Sequence, residues 1–184
     1  MFTNTLRSEE YKSKPRDVVY TPDKVVDVCI AVVEPMLCEG DSVCDAFAGK
    51  NAFFSKYPTR VIPSRCEIEE GTDFFDISNQ SVDWIISNPP YSNITDVLLH
   101  SARVCRRGFA YLIGDLNLTV ARIRKLELLG FHLHTVKKIR INHWFGMSSF
   151  CLWTREAPIH GARLLYHPIQ FDDPSYKSRQ IKKK

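Results

Sequence analysis

VDWIISNPPYS, residues 82–92, is the stretch whose reading decides the fold. Its first half is almost continuously apolar, the pattern of a strand buried on both faces. It then meets an asparagine and two prolines. Proline lacks the N–H that a ladder needs and holds φ at about −65°, so the strand must stop here in a stiff loop. Tyr91 tips that loop. Asparagine, two prolines and tyrosine in this order arise by chance in a chain this long only about once in two thousand.

Working outward, strand and helix alternate. Upstream, TPDKVVDVCIAVVEPML reads as a helix, with Thr21 able to cap it, Pro22 at its first position and Asp23 at its positive end. Val25, Val28, Cys29, Val32 and Met36 recur at helical spacing, and Pro35 should kink or end the helix. SVCDAF predicts a strand, AGKN a turn and NAFFSKY a short helix. A second strand is expected around Arg65–Ile68, with Pro63 making its upstream part irregular, and TDFFD as a short turn or strand. Downstream, NITDVLLHSARVC predicts a helix capped by Asn93 with Asp96 three residues on. After a turn at Arg107-Gly108, FAYLIG is another buried strand, and LTVARIRKLELLG is a helix closed by Gly130. HLHTVKKIRI and SSFCLWTR form a final pair of strands around NHWFGM, and ARLLYHP is a further short strand candidate.

This order predicts an α/β fold: a Rossmann-like three-layer sandwich, with a mostly parallel seven-stranded sheet that ends in an antiparallel hairpin. The domain plan is an N-terminal arm over 1–19, one catalytic domain over 20–155, and a C-terminal extension over 156–184 with a basic tail.

Bulk composition narrows the class. The chain has 184 residues, 44% hydrophobic and 25% charged, which suits one soluble domain with a sizeable core. No apolar run reaches membrane-span length and no signal peptide opens the chain, so a soluble, intracellular, cytoplasmic protein without a membrane partner is expected. Six cysteines occur without Cys-x-x-Cys or zinc-finger spacing, which points to reduced core thiols and no metal site. The net charge of +4 is mild, but the basic residues cluster at Arg103/Arg106/Arg107, Arg122/Arg124/Lys125 and Lys137/Lys138/Arg140, and in KSRQIKKK. That pattern suits a phosphate-bearing partner or a solvated face.

Ligands of such sheets bind beyond the carboxyl ends of the strands. The first such loop is Asp45-Ala46-Phe47-Ala48-Gly49-Lys50-Asn51, where Gly49 permits close backbone approach. The second offers Glu67, suited to accept from two ribose hydroxyls, and Ile68, suited to cover a purine. Asp73-Phe74 places an acceptor beside an aromatic surface, and Asn88-Pro89-Pro90-Tyr91 follows.

On these residues the chain resembles class I S-adenosylmethionine-dependent methyltransferases, and more narrowly those that methylate the N6 amine of adenine in DNA. The resemblance covers about residues 14–154 and rests on Tyr20-Thr21-Pro22, DAFAGKN, CEIE, TDFF and SNPPY, in that order. It implies S-adenosyl-L-methionine as cofactor. Tyr20 and Thr21 would contact the methionine carboxylate, Asp45 to Gly49 with Asn51 would surround the methionine part, Glu67 would hold the ribose, and Asp73 with Phe74 the adenine. Asn51 stands where the family usually has a second glycine, and asparagine is the substitute that best tolerates left-handed backbone.

The chemistry explains the two prolines. An adenine amine is a poor nucleophile because its lone pair is delocalised into the ring. Acceptors aimed at its two hydrogens, the Asn88 side-chain oxygen and the Pro89 carbonyl, would favour the tetrahedral nitrogen. The rigid loop holds them ready, and Tyr91 offers a stacking face for a flipped base. No metal is needed. Trp144, Phe145, Lys137 and Arg140 are candidate nucleic-acid contacts, with DNA preferred to RNA as the partner. The short chain leaves target recognition to a partner subunit. RNA adenine methylation, protein glutamine methylation and a non-catalytic nucleic-acid-binding module with the same fold remain open alternatives.

Overall fold

A computed structural model describes residues 20–144 and 146–173. The N-terminal arm, Phe145 and the basic tail KSRQIKKK lie outside the described residues. One seven-stranded sheet runs through the described part in the order β2-β1-β3-β4-β6-β5-β7. The strands are β1 (Ser42–Asp45), β2 (Ile62–Arg65), β3 (Val82–Ser87), β4 (Cys105–Gly114), β5 (His132–Ile139), β6 (Ser148–Thr154) and β7 (Arg163–Tyr166). Pairing is parallel from β2 through β4, antiparallel on both sides of β6, and parallel again between β5 and β7. The mostly parallel sheet with an antiparallel hairpin is therefore as the sequence predicts.

Alternating side chains build two cores, one on each face. Val43, Trp84, Ile86, Ala110, Leu112, Phe150 and Leu152 point to the face covered by α1 (Asp23–Val33). Cys44, Ile85, Phe109, Tyr111, Ile113, Cys151 and Trp153 point to the other face, under α2 (Ile94–Val104) and α3 (Val120–Leu128). The buried stripe of α1 is Val25, Val26, Cys29, Ile30 and Val33, turned from the expected one, which leaves Val28, Val32 and Met36 half-buried. Each fully buried aliphatic side chain contributes about 1.5–3 kcal/mol.

Several local expectations are corrected. Pro22, not Thr21, occupies the N-cap of α1, and no side chain caps that end. Pro35 does end the helix, in a single 3-10 turn over Glu34–Met36. NAFFSKY forms only the 3-10 turn Phe54–Lys56. The second strand is Ile62–Arg65 and contains Pro63, because β2 is an edge strand whose outer side needs no donors. Asn93 sits at the N-cap of α2 without a side-chain capping bond, whereas the Thr119 hydroxyl accepts from the Arg122 N–H to cap α3.

Arg107-Gly108 is not a turn but part of β4. Gly108 is needed there for packing. A Cβ on it would stand 2.4 Å from the Trp84 ring and 2.6 Å from the Trp153 carbonyl. Backbone and a buried indole cannot both yield. Gly108→Ala should destabilise the fold by about 1–3 kcal/mol, read as a lowered urea midpoint. A midpoint within error of the parent would show that the sheet relaxes there.

Candidate functional site

The carboxyl ends of β1, β2 and β3 face one cavity of about 330 Å³. Most of its wall comes from four segments, Tyr20-Thr21 ahead of α1, the 46–53 stretch after β1, the 67–75 stretch after β2, and Asn88 with Pro90 after β3, and Asn93 with Val97 of α2 completes it. Of the residues singled out in the sequence, Tyr20, Thr21, Ala46, Phe47, Ala48, Gly49, Glu67, Ile68, Asp73, Phe74, Asn88 and Pro90 line it together. Asp45, Asn51, Pro89 and Tyr91 do not line it.

Asp45 is placed beneath the cavity instead of beside it. It is 1% exposed. One carboxylate oxygen accepts from the Ser87 hydroxyl at 2.5 Å and the other from the Phe54 N–H at 3.1 Å. The same Ser87 oxygen accepts from the Phe47 N–H at 3.1 Å. The first loop is thereby tied to the residue that immediately precedes Asn88. Ser87 was missed in the sequence because a serine at the end of an apolar strand carries no signal of its partner 42 residues away.

The loop after β1 holds its shape through two left-handed residues, Gly49 at φ 49° and Asn51 at φ 63°. Asparagine does adopt the backbone that a second glycine would otherwise supply. Its side-chain oxygen accepts from Arg65, which also pairs with Glu70 at 2.7 Å. Gly49 has no side chain between its backbone and Tyr20, whose ring a Cβ would meet at 3.6 Å. The Lys50 ammonium, not foreseen in the sequence, lies 4.2 Å from the centre of that ring.

Glu67 accepts from the Gly49 N–H at 2.6 Å, so the acidic residue after β2 reaches across to the loop after β1. Ile68 beside it is 47% exposed, an apolar surface offered to the cavity. Asp73 accepts from the Phe75 N–H at 2.9 Å and starts the 3-10 turn Phe74–Asp76. Phe74 is buried, edge-on to Phe47 at 5.2 Å, and its carbonyl lies 3.0 Å from the His100 ring nitrogen.

The proline loop meets the first segment directly, since the Asn88 amide nitrogen donates to the Thr21 hydroxyl at 3.1 Å. The Asn88 side-chain oxygen is buried in this conformation. Tyr91 turns toward β4. Its hydroxyl donates to the Leu112 carbonyl at 3.4 Å, its ring lies beside Gly114, and burial pushes its pKa up. It packs on the core instead of lining the cavity, which corrects its expected place as an open stacking face.

Trp144 is likewise no free wedge. Its indole N–H donates to Asp173 at 3.1 Å and its ring packs on the core under α1. Phe145 lies outside the described residues. Lys137 and Arg140 stand at the same end of the sheet as the cavity, bound to the carbonyls of Tyr166 and Gly146. Among the described residues no cluster of His, Cys, Asp and Glu suited to a metal ion occurs, and no helix is long and apolar enough to cross a membrane.

The comparisons with known proteins agree with this architecture. A Listeria monocytogenes protein described as a class I S-adenosylmethionine-dependent methyltransferase superposes with a TM-score of 0.62 at 13% identity, over 97% of this chain and 74% of that one. The fold is that of the S-adenosylmethionine-dependent methyltransferases. A chain of the E. cuniculi Mtq2–Trm112 complex, responsible for the methylation of the translation termination factor eRF1, gives 0.58 at 16% identity over 75% of this chain and 98% of that one. A type I restriction-enzyme modification subunit from Vibrio vulnificus gives 0.53 at 15% identity over 94% of this chain, which spans about half (51%) of that subunit. No protein-family model matches the sequence. No curated protein matches it either.

Asp45 makes a pH prediction. Burial raises its pKa from the ordinary 3.8 to about 6, against the Ser87, Phe54 and Phe47 hydrogen bonds, which pull it down. The folded chain thus keeps a proton that the unfolded chain has lost. Stability should fall as pH rises from about 4 to about 6 and level off above, a change on the order of 3 kcal/mol. Asp45→Asn should flatten that slope in thermal melts. An unaltered slope would assign it to other groups.

Proposed function

We propose that this chain transfers a methyl group from S-adenosyl-L-methionine to the N6 amine of adenine in DNA. The observation that carries the reading is the position of Asn88-Pro89-Pro90-Tyr91, whose Asn88 and Pro90 line the same cavity as Gly49, Glu67, Ile68 and Asp73. Two ligands can meet there, one along the loops after β1 and β2 and one at the loop after β3.

The residues present fit the cofactor. Glu67 offers carboxylate oxygens for a ribose diol, Ile68 and Phe74 offer apolar surface for an adenine, and Asp73 offers an acceptor. Tyr20, Thr21 and Lys50 surround Gly49, where the amino-acid end would lie, and the Lys50 ammonium suits a carboxylate. When bound, the cofactor supplies a methyl group already activated on a sulfonium, so the protein's task is to position and sharpen the nucleophile. Asn88, which lines the cavity, does so by accepting from a hydrogen of the amine, which helps to free its lone pair. The Asn88 amide nitrogen donates to the Thr21 hydroxyl, which leaves its oxygen as the atom for the amine. The proton lost on methylation passes to solvent, since the methylated amine is strongly acidic before it is neutralised.

DNA is favoured by the cations at the cavity end of the sheet and by the fold shared with a restriction-system modification subunit. A second reading, methylation of a glutamine amide in a protein, is favoured by the match in size to the chain from the Mtq2–Trm112 complex responsible for eRF1 methylation, since 98% of that chain is covered. A planar amide nitrogen presents the same lone-pair problem.

Incubation with methyl-labelled S-adenosylmethionine and, separately, DNA, RNA and a protein extract tests both. Label should enter DNA as N6-methyladenine, and Asn88→Ala should lower it on the order of 100-fold. Label in protein alone would replace the reading with amide methylation. Label nowhere, with normal cofactor affinity by calorimetry, would refute transfer by this chain alone.

A further inference from the structure

The 3-10 turn Asp115–Asn117 directly follows β4, beside the proline loop: Gly114, which precedes it, is where the Tyr91 ring packs. The turn is held on three sides. The Asp115 N–H donates to the Met147 carbonyl at 3.0 Å. Its carboxylate accepts from Lys138 at 2.7 Å and from the Ser149 hydroxyl. Yet the residue at the tip, Leu116, is 81% exposed, with Val120 at 72% and Met147 at 40% nearby in the chain or across the pairing. A leucine this open contributes almost nothing to folding, while one backbone and two side-chain hydrogen bonds at Asp115 anchor the turn that presents it.

One cation stands against this apolar tip, and two more lie further along the same end of the sheet. Arg122, in the first turn of α3, donates to the Asn117 carbonyl at 2.9 Å and the Thr95 hydroxyl at 3.0 Å. Lys137 and Arg140 contact carbonyls only. Among the described residues none of the three forms an ion pair, whereas Lys138 is paired with Asp115. An apolar point beside Arg122, on the basic end of the sheet, complements one surface well: a duplex, with phosphates outside and a base stack within.

We propose that Leu116 is a wedge that enters the base stack of double-stranded DNA and fills the place left by the base turned toward Asn88. This rests on the nucleic-acid reading of the site. Turning a base out of a duplex costs a few kcal/mol, and an apolar side chain that replaces its stacking recovers part of that cost. A single strand needs no such help, which makes the wedge a determinant of duplex use and not of the transfer step.

The test compares duplex DNA with the same DNA heat-denatured, for the parent and for Leu116→Ala. The variant should melt with the parent, because so little of the side chain is buried. Transfer to duplex should fall about tenfold or more, and transfer to denatured DNA should change less than about twofold. Leu116→Met should retain duplex activity. Equal loss on both forms, or none, would overturn the wedge. Transfer to RNA alone would overturn the choice of DNA. Permanganate reactivity of thymines in a random-sequence duplex, bound with S-adenosylhomocysteine, gives a readout that needs no methylation. If the parent methylates no nucleic acid, the catalytic reading falls, while thymines made reactive by the parent and not by Leu116→Ala would still support the wedge. A parent that leaves thymines unreactive overturns it.

Discussion

A hydrogen bond between two buried side chains, Asp45 at the end of β1 and Ser87 at the end of β3, sets the geometry of everything above the sheet. Parallel neighbours alone bring two loops to the same end. They do not fix how the loops lean. Here one carboxylate takes Ser87 and the Phe54 N–H, and Ser87 takes the Phe47 N–H. The start and the end of the first loop and the root of the proline loop thus share two side chains. Burying a carboxylate is unfavourable, as its raised pKa records, and its hydrogen bonds make the arrangement tolerable.

Above that link a second tier crosses between loops. Glu67 reaches back to the Gly49 N–H, and Arg65 joins Asn51 to Glu70. The loops after β1 and β2 therefore act as one wall of the cavity. Thr21 closes the circuit by meeting Asn88. Each wall is attached to its neighbours through polar side chains, while the strands below are attached through apolar ones. Function in this fold depends on the sparse upper network, and stability depends on the dense lower packing.

The sequence made the central strands legible because β3, β4 and β6 are buried on both faces, which leaves an unbroken apolar signature. The loops that line the cavity were legible because glycine, proline and acidic residues stand directly after strands. What escaped depends on distant partners. Trp144 looks like an exposed aromatic until Asp173, 29 residues on, takes its N–H. Gly108 looks like a turn residue until Trp84 and Trp153 are packed against it. Pro63 looks like a strand breaker until β2 is known to be an edge. The apolar stripe of α1 was misjudged because valines lie around most of its circumference, so periodicity alone could not choose the inward face.

The two margins of the sheet are unlike. At one margin, β2 is four residues long and carries Pro63, which withholds a donor from any further strand. At the other, β7 exposes Leu164 and Tyr166. Among the described residues, the proline that looked like a defect in β2 makes that margin the poorer template for a further strand.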